Sequence, residues 1–147
     1  MRVDDTFRFL LGEWTLRRTV ADHRDGRRGE FEGAATVHAS QAGADRARYH
    51  EAGRLRYGGY DGRASRTLEY LRQSTGAVLV SFSDGRPFFA LDLRDGSCHA
   101  DHPCGADDYV LEFDVRSDTL LNERWHVRGP HKHYTAQTRW ERRDAGR

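Results

Sequence analysis

The 147-residue sequence predicts an all-β fold: one up-and-down antiparallel barrel of about ten strands with a short N-terminal helix, forming a single domain over residues 1–147. Three observations lead there. Runs of alternating polarity recur along the whole chain, Gly-containing turn signals separate them, and only three prolines interrupt the pattern. Closing such a meander removes the exposed strand edges that would otherwise template aggregation.

The elements follow in order. DDTFRFLLG reads as one short helix, with Asp4 or Asp5 as its cap and Phe7, Leu10 and Leu11 on one face. A first strand runs from about Trp14 to Ala21, and HRDGRRG turns it because Asp-Gly suits positive φ. The second lies near Glu30 to Ala39. The third covers Arg46 to Tyr57, with GGYDGR as the next turn. RTLEYLR, AVLVSFS, FFALDL and CHADH supply strands four to seven. DYVLEFDV, LLNERWHV and HYTAQTRWER complete the set, the last two joined through Arg128-Gly129-Pro130-His131.

Alternation also assigns the inward faces. Tyr49, Glu51, Gly53 and Leu55 share one, Tyr109, Leu111, Phe113 and Val115 a second, and Leu121, Glu123, Trp125 and Val127 a third. Two of these apolar faces therefore carry a carboxylate, Glu51 and Glu123. A carboxylate inside a barrel needs a partner, or desolvation raises its pKa. Each is either a structural pair with one of the arginines or a polar group held ready for a ligand or a proton transfer.

Composition narrows the function classes. The charge is nearly balanced, 24 Lys plus Arg against 23 Asp plus Glu, so no global field draws the protein to nucleic acid or a membrane. No apolar run is long enough to span a bilayer, and MRVDDTFRFLLGEW lacks the basic start of a secretory signal. A cytoplasmic location is expected, and two cysteines, Cys98 and Cys104, suit that reducing compartment. Arg17, Arg18, Arg24, Arg27 and Arg28 form a local basic stretch, read as a solvated hairpin surface or as a patch for an anionic ligand.

Two clusters carry ligating side chains. Cys98, His99, Asp101, His102, Cys104, Asp107 and Asp108 are metal-ligand types, but no Cys-x-x-Cys pair occurs and Cys98 and His99 point to opposite strand faces. His102 and Cys104 are instead expected to shape the turn before strand eight. Around the last hairpin stand Trp125, His126, His131, Lys132, His133 and Tyr134. Lys132, the only lysine, either stays solvated or serves a Schiff base or an anion. Nucleophile elbows, phosphate loops and dinucleotide fingerprints are missing, and no cofactor or metal is expected.

FLLGEWTL resembles the opening of calycin-type barrels, the lipocalin and nitrobindin group, through Gly12, Glu13 and Trp14. The resemblance implies that Trp14 lies across the closed end with an arginine from the last strand, Arg139 or Arg142, packed on it. It also brings in haem ligation by a histidine, as in nitrobindin-like barrels, which turn histidines serve poorly. Most of the chain is further similar to a family of small proteins catalogued as a domain of unknown function. FLLGEW, HRDGRRGEFEG, YHEAGRL, VSFSDGRPFFALDL, HPCGADDY and WHVRGPHKHY carry that likeness. An acidic residue is expected before the final tyrosine, where this chain has His133.

Two functions remain. The barrel binds a small, largely apolar molecule as a non-catalytic carrier, or it is a cofactor-independent isomerase, cyclase or dehydratase using interior acid/base groups. The interior glutamates favour the second, whereas arginine partners for both would favour the first. Candidate catalytic residues are Glu51, Glu123, Tyr49 and His102. Candidate ligand contacts are Trp125, Tyr109, Phe113, Tyr134, Lys132 and His133. The partner expected is a small molecule, with a homodimer left open.

Overall fold

Asp5, extended in backbone, accepts the Arg8 amide with its side chain and so starts α1 (Thr6–Leu10). The computed structural model describes residues 1–41 and 43–143. From Gly12 onward the chain alternates in burial and forms ten strands. They are β1 (Gly12–Asp22), β2 (Arg28–Ala39), β3 (Arg46–Tyr57), β4 (Tyr60–Arg72) and β5 (Val78–Phe82). After these come β6 (Pro87–Leu91), β7 (Ser97–Cys104), β8 (Asp107–Ser117), β9 (Leu120–Arg128) and β10 (His133–Arg142).

All ten belong to one antiparallel sheet in the order β6-β5-β4-β3-β2-β1-β10-β9-β8-β7. Each strand thus lies beside its chain neighbour, and β1 closes on β10 from Trp14 opposite Arg142 to Asp22 opposite Tyr134. The barrel is nearly rather than fully closed. Its seam lies between β6 and β7, where no ladder forms among the described residues and Cys98 Sγ sits 3.9 Å from Ala90 O. Short β6 begins with Pro87, which has no amide hydrogen to donate, and the β5–β6 register shifts at Val80/Ser81.

Two expectations need correcting. The GGYDGR turn is shorter than expected: Tyr57 pairs with Tyr60, only Gly58 and Gly59 remain in the loop, and Gly58 takes a positive φ of 57°. His102 does not shape a turn. Cys104 pairs directly with Asp107, so β7 runs through His102, whose ring points inward.

The closed end is built as the Gly-x-Trp motif implies. Trp14 is fully buried, its indole N–H donates to Leu10 O at 2.9 Å, and Trp140 meets it edge-on at 5.7 Å. Of the two candidate arginines it is Arg142 that covers the ring, 4.1 Å from its centroid, while donating to Leu11 O. Arg139 faces outward and pairs with Glu141. Phe7 and Leu10 of α1 cap this end, and among the described residues no helix covers the opposite, open end.

Where β2 and β3 pair through Gly33 opposite Gly53, their backbones come close enough to exclude a side chain. A methyl at Gly53 would stand 2.2 Å from Glu32 O, and one at Gly33 2.3 Å from Ala52 O. Only glycine admits that approach.

Candidate functional site

Above the floor formed by Trp14, Trp140 and their neighbours, strand register places polar residues around the barrel wall. Thr138 is paired with both Arg18 and Glu123, and Arg66 lies directly opposite Glu51. All belong to the inward face, because each is two residues from a core side chain: Leu16, Leu121, Trp140, Leu68 and Tyr49.

Glu51 is 3% exposed and fully engaged. Arg18 donates to it through both terminal nitrogens, at 2.8 and 2.9 Å, and uses its Nε on Thr138 Oγ1. Arg66 Nη2 adds a bond at 3.0 Å, and the Tyr49 hydroxyl another at 2.5 Å. Burial alone would push the Glu51 pKa up. The Arg18 bonds, both guanidinium charges and the tyrosine outweigh it and hold the carboxyl at about 2. It is a permanent anion at neutral pH.

Glu123 contrasts with it. No ion pair reaches it among the described residues, and its one hydrogen-bonding side chain is Thr138. Burial raises its pKa, opposed by the more distant charges of Arg18 and Arg66. Burial likewise pushes the Tyr49 and Tyr70 hydroxyls upward, so both stay neutral.

Beyond this belt, toward the open end, is a cavity of about 210 Å³. Phe82, Phe88, His102, Tyr109, Trp125 and Tyr134 supply its rings, and Arg66 sits at its base. Phe88 organises them: it meets His102 at 5.1 Å, Trp125 at 5.4 Å and Tyr109 at 5.9 Å, each edge-on. The Arg66 guanidinium stacks 4.7 Å over Trp125, linking the cavity to the Glu51 network.

The residues singled out from sequence divide accordingly. His102, Tyr109, Trp125 and Tyr134 line the cavity; Glu51, Glu123 and Tyr49 are outside its lining. Phe113 stacks on Phe89 in the core at 5.7 Å. Lys132 lies on the last hairpin, 3.5 Å from Asp107, and His133 packs on His23. Among the described residues, no three His, Cys, Asp or Glu side chains cluster as a metal site would require. Both cysteines are free thiols.

Sequence reasoning missed two residues that matter most here. Arg18 was assigned to the basic hairpin stretch, but it points inward, two residues past Leu16. Arg66 was passed over, although it precedes Leu68 and Tyr70 at the same spacing. Extending the alternation by one step would have found both.

The fold and this interior define a calycin-like barrel, nearly closed, with one sealed end. Within that class the chain belongs to the family of unknown function DUF6314, whose model matches residues 10–142. No curated protein matches it significantly. Among solved structures it is similar to an S-type phycobiliprotein lyase, CPES, from Guillardia theta. The identity is 12% and the TM-score 0.67, covering 99% of this chain and 94% of that one. It is also similar to a DUF3598 family protein of unknown function from Nostoc punctiforme, at 14% identity and TM-score 0.61. That match covers 94% of this chain but 49% of the other. At such identities the likeness is one of fold. Among the described residues no helix is long and apolar enough to cross a membrane.

Proposed function

We propose that this barrel is a binding protein for a small, flat, largely apolar molecule, held at its open end rather than chemically transformed. One observation carries the reading: the cavity is walled by aromatic rings, while the interior carboxylates stand back from it. A cavity of 150 Å³ lined by apolar side chains holds benzene, so about 210 Å³ suits a molecule of one ring or two fused rings. Edge-on rings around Phe88 leave faces and edges for a planar guest.

Acid/base catalysis is the weaker reading. Glu51, held as an anion by two arginines, is a poor base. Glu123 has the raised pKa that catalysis calls for, but it borders only a concavity lined mostly by charged and polar side chains, not the ring-walled cavity. The ligand-binding reading also agrees with the fold class, whose interiors accommodate small molecules.

Calorimetric titration with neutral 2-naphthamide tests the reading. One equivalent should bind, and His102→Trp, which enlarges a ring that already points into the cavity, should weaken binding about tenfold or more. Binding that is undiminished in His102→Trp would place the ligand elsewhere and end the proposal.

A further inference from the structure

The charge around the cavity is unequal to its counter-charge. Two guanidinium groups, Arg18 and Arg66, share one carboxylate, Glu51. Arg18 uses all three of its nitrogens: both terminal ones face Glu51 and its Nε bonds Thr138. Arg66 is not. It gives Glu51 a single nitrogen, Nη2, while its Nε is buried without a partner. Glu123, the other interior carboxylate, makes no ion pair with either arginine and bonds Thr138 instead.

The lining repeats this bias. Among the described residues it contains no aspartate or glutamate, and its one permanent charge is Arg66. Trp125, stacked beneath that guanidinium, carries an indole N–H that is also buried and unpartnered. Two adjacent donors thus lack acceptors beside an apolar, ring-lined space. The Arg66 side chain is 32% exposed and only partly neutralised through the shared Glu51, and a buried donor without an acceptor, such as its Nε, is costly. A guest bringing a negatively charged acceptor would relieve both.

We propose that the ligand of this barrel is a small aromatic carboxylate, and that Arg66, with the Trp125 indole N–H beside it, is the group that selects it. The inference rests on the cavity-binding reading above and adds the ligand's chemical class. Guanidinium suits the task because its planar fork meets a carboxylate along two N–H bonds. Glu51 takes one Nη2 bond, orienting Arg66 without neutralising it alone, since Glu51 is already shared with Arg18.

The test compares 2-naphthoate with its neutral amide, 2-naphthamide, by isothermal calorimetry on the full chain. In the unaltered protein the acid should bind about tenfold or more tightly than the amide, as a charge-assisted hydrogen bond implies. In Arg66→Gln that ratio should fall to about one, and in Arg66→Lys it should be intermediate, because charge is kept and the fork is lost. Raising salt should weaken the acid more than the amide. An amide that binds the unaltered protein as tightly as the acid overturns the assignment while leaving the cavity reading standing. A ratio unmoved by Arg66→Gln does the same. If neither compound binds, the cavity reading falls and the inference with it. Should Arg66→Gln fail to fold, the acid-to-amide ratio and its salt dependence in the unaltered protein decide the question.

Discussion

Replacing Glu51 by Gln should be among the most damaging single changes to this barrel. The glutamine keeps the shape and one acceptor but removes the anion that, among the described residues, pairs with Arg18 and Arg66. Two independent routes give the magnitude. Holding the carboxyl at about 2 against an ordinary 4.5 corresponds by linkage to about 3 kcal/mol at neutral pH. Breaking a buried ion pair by removing one partner costs about 3–5 kcal/mol. For a chain of this length that lowers the Tm by roughly 10 °C. Urea unfolding followed by tryptophan fluorescence at pH 7 measures it. The pH dependence supplies the sign. Because the folded-state pKa is depressed, the Glu51 contribution is complete above about 4.5 and lost as pH falls toward 2. The gap between the unaltered protein and Glu51→Gln should therefore narrow across that window. Arg18→Met combined with Glu51→Gln should cost less than the sum of the two alone, since each removes the same contact. A loss below about 1 kcal/mol at pH 7, near the level of an exposed pair, would refute the reasoning and mean that water reaches the network.

Glu123→Gln should act in the opposite direction. Burial raises the Glu123 pKa, so its carboxyl contributes stability below the unfolded value and loses it as pH rises through the folded one. The variant should thus be more stable than the unaltered protein at pH 8, with the advantage vanishing at pH 4, as thermal melts at both pH values will record. Trp14→Ala should cost about 3–5 kcal/mol in urea unfolding, the range for a buried large aromatic, since the ring is fully buried and also carries Arg142. Gly53→Ala should lower stability by about 1–3 kcal/mol through overpacking, because its methyl would press on Glu32 O. Circular dichroism melts will show it, and an unchanged Tm would mean that β2 and β3 separate there at little cost.

Much of this architecture was legible because it rests on period-two alternation. The faces carrying Tyr49 and Glu51, Tyr109 and Phe113, and Glu123 and Trp125 could be assigned from spacing alone, and β3 and β10 begin and end where the sequence placed them. Positions that depend on the curvature of the whole sheet were less accessible. CHADH put His102 at the end of strand seven, but how far β7 runs past it toward Gly105, and so whether it borders the turn, local composition does not decide. Arg18 shows the limit most clearly. Its neighbours Arg17, Arg24, Arg27 and Arg28 made it look like one more surface charge, although its spacing from Trp14 and Leu16 put it inside. The seam between β6 and β7 also escaped notice, because alternation reports faces and not which strands pair.

The most direct test of the ligand-binding account uses the three tryptophans as reporters. Trp14 and Trp140 are buried at the sealed end, whereas Trp125 lines the cavity beneath the Arg66 guanidinium. A nitrogen–proton correlation spectrum of the labelled protein should give three indole signals, assigned by Trp→Phe variants. On titration with 2-naphthoate, the Trp125 signal should move to saturation at one equivalent, while those of Trp14 and Trp140 stay in place. A ligand that shifts Trp14 or Trp140 and leaves Trp125 unmoved would contradict the account.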